Sequence, residues 1–338
     1  MRKWIYIIFT LIFSLYVIAS IYDFNRGIAV LSAVFFPIFI LVFLYKIDVF
    51  ERERFQNIFT VFILSFIISF IICWFWVPLR DQLLGVSGEG FFYMLFAAGL
   101  PEEIIKIIPV IILLKRTKYI NEPIDFLIYA SAAALGFAFS ENIDYIYDFR
   151  ESTPNIVAVR SLLPTFMHIT CSSIFAFGVF LFIHAKKIKY LAIYFLIASA
   201  VHAFYNSSDL GLIFIFIIIL YYSKLIRSLL NISPFFDENK IKALKKAELI
   251  LASAFIVLHF VNFLFICYYS ELYNSDISKE DWFVDFFYVI TAFVFYKIIT
   301  RNLELEKGKF SLFGKKRVSF LTSNQQIIIR EYYNKFNN

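Results

Sequence analysis

The sequence predicts an all-α polytopic membrane protein of about ten transmembrane helices, an eight-helix core followed by two C-terminal helices, and three features predict it. Of its 338 residues 61% are hydrophobic and only 17% charged, whereas roughly a quarter of an average globular domain is charged. Apolar runs near the roughly 20 residues that cross a bilayer recur at 4–21, 28–47, 55–77, 91–114, 123–147, 160–183, 189–206, 210–223, 248–269 and 282–299. With the N-terminus set in the cytoplasm, 26 Lys and Arg residues fall inside and 5 outside, Lys106 remaining within a span. That asymmetry is the positive-inside bias, and an error in the number of spans would scramble it.

Along the chain, the first run follows Arg2 and Lys3 and is long for a signal sequence, so it reads as an uncleaved helix. Residues 1–230 form the expected core, 231–247 a cytoplasmic amphipathic loop, 248–299 the two additional helices and 300–338 a basic cytoplasmic tail. The stretch "PFFDENKIKALKKAELI" (234–250) and the terminal "NQQIIIREYYNKF" (324–336) mix basic and apolar residues, a pattern suited to an anionic inner leaflet. Solvated loops that fix topology would look the same. Cys73, Cys171 and Cys267 stand singly in apolar segments, without zinc-finger or disulfide spacing. The net charge of +6 comes from residues flanking the spans, so nucleic acid is not an expected partner; the lipid bilayer is.

Function is sought among ionisable groups at membrane depth, which are costly and face a bundle interior or aqueous cavity. Span four contains "AGLPEEIIKIIPVIILL" (97–113), with Glu102 and Glu103 adjacent. Glu102 and Lys106 are four residues apart on one face and form an expected ion pair, but one lysine cannot neutralise both acids. "GLPEE" reads as the start of a half-helix, Pro101 in the first turn and both carboxylates at the positive end of the dipole. A broken helix is tolerated only where it lines a cavity. Pro109 removes a hydrogen bond further along and predicts a kink.

Span five, "IYASAAALGFAFSENIDYI" (128–146), carries small residues that permit close helix approach, then Glu141. Span six places His168 about two turns in. Span seven puts His202 and Asn206 on one face at i,i+4. His184 and His259 read as structural. At 1.5 Å per residue, Glu141, His168 and His202 lie about 9–12 Å from the outer edge of their spans, and Glu102 and Glu103 about 12–18 Å. The reactive groups therefore share the extracytoplasmic side.

Carboxylates and imidazoles at one depth, with no serine–lysine pair, GxSxG elbow or HExxH, suit attack by an activated water. A glutamate would serve as general base, a histidine as acid or carbonyl polariser, and Asn206 as oxyanion donor. Alternatively His168, His202 and a glutamate, with Glu141 as the candidate, hold a zinc ion with an open position for water.

Four segments in order, "EEIIK" (102–106), "GFAFSENIDYI" (136–146), "RSLLPTFMH" (160–168) and "HAFYN" (202–206), resemble the motifs of PrsW-type intramembrane proteases. Those are relatives of the CAAX-prenyl-protease and bacteriocin-processing superfamily. The resemblance covers roughly residues 46–224. It implies that Glu102 and Glu103 are the family's paired glutamates, that Glu141 and His168 match its FxxxE glutamate and the histidine after R-x-LLP, and that His202 is its later histidine. Asn206 stands where PrsW-like chains often carry an acid, which limits it to hydrogen bonding. The implied activity is regulated intramembrane proteolysis in a bacterial cytoplasmic membrane, both termini cytoplasmic. Its substrate would be a single-span protein cut near the extracytoplasmic face, as in the first cleavage of an anti-sigma factor. Two other classes use the same buried carboxylates: a proton-coupled transporter, for which a repeat between halves is expected and not found, and a non-catalytic membrane binding protein.

Overall fold

The computed structural model describes residues 37–85, 88–116, 120–148, 153–208, 211–249 and 305–310, with isolated positions 253, 256, 260 and 290. The span expected at 4–21, most of those at 248–269 and 282–299, the start of that at 28–47 and most of the basic tail lie outside the described residues. Every regular element among the described residues is helical.

Helix α1 is Pro37–Ile47. Helix α2, Phe55–Leu84, runs past Pro78 and stops where Gly85 takes φ +83° and its N–H returns to Asp81 O at 3.1 Å. It is longer than the span expected at 55–77, because a proline removes a single helical hydrogen bond and the apolar face continues through Leu79 and Leu83. Helix α3, Phe91–Met94, passes through a π turn, Leu95–Gly99, into α4, Leu100–Arg116. The half-helix expected to begin at "GLPEE" is thus corrected: the chain before Pro101 is already helical, and the irregularity is a π turn. Pro101 has no N–H to offer the Ala97 carbonyl four residues earlier. The Trp76 indole of α2 supplies that donor instead, at 3.1 Å.

Helix α5, Pro123–Asp148, starts with proline in its favoured first position. The Asp125 carboxylate reaches back to the amides of Asn121 and Glu122, both at 2.9 Å. Helices α6, Thr153–Ala185, and α7, Ile188–Ser207, pack against each other across a two-residue turn in which Lys186 takes φ +55°. Helix α8, Gly211–Asn231, outlasts the run expected at 210–223. After a 3-10 turn at Glu238–Lys240, residues 241–249 form α9. Leu244 and Ala247 of α9 are buried, and Glu248 pairs with Arg227 of α8 at 2.5 Å. The basic-apolar stretch therefore spends part of its apolar face on the bundle.

Four of the described helices are long and apolar enough to cross a membrane: Phe55–Leu84, Pro123–Tyr145, Pro164–Ala185 and Ile188–Ser207. The outward surfaces of Phe55–Leu84 and Ile188–Ser207 are largely apolar, with Trp74, Phe75, Leu83, Leu196 and Phe204 exposed, a surface suited to lipid and not to water. The chain is an integral membrane protein. Helix α5 is its axis: every residue from Glu122 to Ser140 is buried, packed by α2, α4, α6 and α8. Gly136 makes this possible on the α2 side, since a Cβ there would lie 2.1 Å from Phe62 O. Gly99 does the same for the π turn against α7, where a Cβ would meet Ser199 O at 2.5 Å.

Candidate active site

The paired glutamates occupy the first turn of α4, where the helix N-terminus favours negative charge. Being adjacent, they point about 100° apart and have different surroundings. Glu103 is fully buried. Its Oε1 accepts from Lys106 Nζ at 2.6 Å and from His202 Nδ1 at 3.1 Å, and its Oε2 accepts from Ser172 Oγ at 3.1 Å. Glu102 keeps 16% of its side chain exposed. Its Oε2 lies 3.4 Å from His202 Nε2, 3.7 Å from Lys106 Nζ and 4.0 Å from His168 Nδ1, yet has no hydrogen-bond partner.

The ion pair expected between Glu102 and Lys106 is therefore corrected: the lysine pairs most closely with Glu103, at i,i+3. Positions three and four apart are both neighbours on a helix, and burial of Glu103 makes its charge the one that must be met. The ammonium also sits 4.7 Å from the centre of the Phe137 ring.

The histidines complete the arrangement. His168 of α6 lies with Nδ1 2.8 Å from Lys106 Nζ and Nε2 3.0 Å from Glu141 Oε2. An ammonium only donates, so Nδ1 accepts and the ring proton is on Nε2, facing Glu141. Glu141 is held in turn by Arg160 Nη2 at 2.8 Å, while Arg160 Nε donates to Asn142 Oδ1 at 2.9 Å and its guanidinium lies over the Tyr145 ring. His202 of α7 gives its Nδ1 proton to Glu103, leaving the Nε2 lone pair toward Glu102. The two imidazoles stand edge to face, 5.0 Å between centroids.

Glu102, His168 and His202 each present a ligand atom within 4.8 Å of the others. Glu102 and His202 fit a metal ion as they stand, whereas His168 Nδ1 would have to give up its bond to Lys106 Nζ to ligate one. His202 Nε2 and Glu102 Oε2 are two lone-pair atoms facing each other across 3.4 Å, and donors on one tetrahedral zinc with bonds near 2.0–2.1 Å are about 3.4 Å apart. Each histidine also ties its other nitrogen to a second carboxylate, the outer-shell arrangement that orients metal-binding imidazoles. Counting Glu102, Glu103 and Glu141 against Lys106 and Arg160 leaves one negative charge unmatched when both imidazoles are neutral.

Four of the six residues expected to form the site, Glu102, Glu103, His168 and His202, thus meet from three helices. Glu141 stands one step out, bonded to His168. Asn206 is exposed, one turn beyond His202. Arg160, Ser172 and Trp76 were not among the expected site residues, although Arg160 begins the "RSLLPTFMH" segment. Ser172 carried a signal, since it follows His168 at i,i+4 on the same face. His184 is exposed at the end of α6, its ring 4.7 Å from Phe180, and His259 lies outside the described residues.

Comparison with known proteins gives one consistent result. Residues 53–226 match the family model described as PrsW family intramembrane metalloprotease. Over 182 residues the chain is 28% identical to Protease PrsW of Bacillus subtilis (strain 168), covering 53% of this chain and 81% of that one. Over 169 residues it is 28% identical to Protease PrsW of Geobacillus kaustophilus (strain HTA426), covering 49% and 73%. No solved structure matches it at comparable stringency.

Proposed function

The chain belongs to the PrsW family of intramembrane metalloproteases, and from that premise we propose that Glu102, His168 and His202 form the hydrolytic centre, cutting a single-span membrane protein near the extracytoplasmic face. The observation that carries this reading is the unpartnered Glu102 oxygen facing two histidines whose outer nitrogens are each tied to another carboxylate.

Glu102 is the base. Its side chain is 16% exposed and its Oε2 makes no hydrogen bond, so it can take a proton from water as the water oxygen bonds to the peptide carbonyl carbon. The same carboxyl returns that proton to the amine nitrogen as the C–N bond breaks. Glu103 does not touch the reacting atoms: it fixes the His202 tautomer and holds Lys106. Glu141, itself held by Arg160, does the same for His168. Asn206, one turn beyond His202, is the candidate donor to the developing oxyanion. Zinc is the metal we assign to Glu102, His168 and His202; with it bound, Glu102 Oε2 would be a ligand and the metal would supply the water activation and carbonyl polarisation that Glu102 otherwise supplies as base.

The extracytoplasmic placement is supported by position along α5. Glu141 lies about 10 Å from the helix end at Asp148, and the basic loops that set topology adjoin the other end. The positive-inside bias of the sequence supports both termini inside a cytoplasmic membrane, and the first cut of an anti-sigma factor is the substrate class the family resemblance implies. The test is cleavage of a single-span substrate by purified full-length protein. Wild type should release a fragment, and Glu102→Gln and His202→Ala should not. Undiminished cleavage by both variants removes the assignment.

A further inference from the structure

The other end of α5 holds a second acidic cluster, about 24 Å along the helix from Glu141, made of side chains the hydrolytic site does not use. Asp48 in the turn after α1, Glu122 just before α5 and Asp125 in its first turn are all buried, at 0–1% exposure, and each presents a carboxylate oxygen within 4.8 Å of the others. Their hydrogen bonds come from backbone amides and one hydroxyl. Asp48 accepts from the amides of Glu51 at 3.3 Å and Glu53 at 2.8 Å, Asp125 Oδ2 accepts from the amides of Asn121 and Glu122, and Glu122 Oε2 accepts from Ser233 Oγ. Glu122 Oε1 and Asp125 Oδ1 remain buried with no hydrogen-bond partner.

Among the described residues no lysine or arginine pairs with any of the three. Glu53, also buried, adds a fourth carboxylate, its Oε2 accepting from Tyr129. Carboxylates buried together without counter-charge must be neutralised by protons or by a cation. Burial pushes the Asp48 carboxyl up to about 7 and Glu122 well above its ordinary range.

We propose that Asp48, Glu122 and Asp125 form a site for a hard divalent cation, of the Ca²⁺ or Mg²⁺ type, separate from the hydrolytic centre. The donors are all oxygen, the set such cations prefer, with neither thiolate nor imidazole to favour zinc. The cation pins the α1–α2 turn to the start of α5. Through Ser233 it also holds the turn after α8, where Asn231 anchors residues 306–309: Glu306 N donates to Asn231 Oδ1 at 2.8 Å and Asn231 Nδ2 to Lys309 O at 2.9 Å.

The test uses full-length protein in detergent, stripped with chelator and titrated with Tb³⁺. We expect one saturable luminescent site per chain, displaced by Ca²⁺ or Mg²⁺, retained in Glu102→Gln and reduced to background in Asp125→Asn. Independently of any variant, Ca²⁺ or Mg²⁺ should raise the unfolding midpoint of the stripped wild type by on the order of 5 °C at pH 7.5. The proposal is overturned if neither cation moves that midpoint, if Asp125→Asn retains displaceable Tb³⁺, or if acidification stabilises the protein equally with and without cation, in which case protons fill the cluster.

Discussion

His202 Nδ1 lies 3.1 Å from Glu103 Oε1, and this contact divides the labour of two adjacent glutamates. It directs the histidine's remaining lone pair at Glu102 Oε2, 3.4 Å from Nε2. One carboxylate is thereby satisfied and structural, the other free.

That division predicts opposite behaviour of two like substitutions. Glu103→Gln leaves Lys106 buried beside a neutral amide, and removing one partner of a buried pair costs about 3–5 kcal/mol. Glu102→Gln removes an oxygen that has no hydrogen-bond partner, so stability should hold while cleavage is lost. Thermal unfolding in detergent, beside a cleavage assay, separates the two. Equal destabilisation would contradict the assignment.

Zinc should be measurable at about one equivalent per chain by elemental analysis of the purified protein. It should fall in both Glu102→Gln and His202→Ala, and chelator should abolish cleavage until zinc is restored. Full activity after exhaustive chelation would leave a glutamate-activated water acting without metal.

Arg160 holds Glu141, which holds His168, so Arg160→Gln should lower kcat by roughly 10-fold or more, the scale of losing an outer-shell partner, with KM little changed. A change confined to KM would show Arg160 contacting substrate directly.

Two glycines predict steric effects at different places. Gly136→Ala drives a Cβ to 2.1 Å from Phe62 O, and overpacking of this kind costs about 1–3 kcal/mol, read as a lower unfolding midpoint. Gly99→Ala meets Ser199 O at 2.5 Å and pushes the π turn, with the glutamates just beyond it, away from α7 and His202. Its main effect should fall on kcat.

The candidate set was legible because acids and histidines are rare inside apolar helices, so Glu102, Glu103, Glu141, His168 and His202 stood out one by one. Which glutamate was structural was not legible, since Lys106 can reach either from one helical face. Arg160 looked like a topology signal and Ser172 like one hydroxyl among many. Asp48, Glu122 and Asp125 sit at helix ends where solvent is the natural expectation, and their burial emerges only from packing of the α1–α2 turn, the α5 start and the turn at Ser233. The π turn was hidden too: Gly99 and Pro101 signalled a break, but the Trp76 indole that lets the helix run on lies in another span.

The most direct test of the central claim compares the extracytoplasmic fragments shed by cells carrying wild type or Glu102→Gln at equal membrane abundance. A defined set of fragments from membrane-anchored proteins should disappear with the variant. The same fragments at the same levels in both strains would contradict Glu102 as the base of an intramembrane protease.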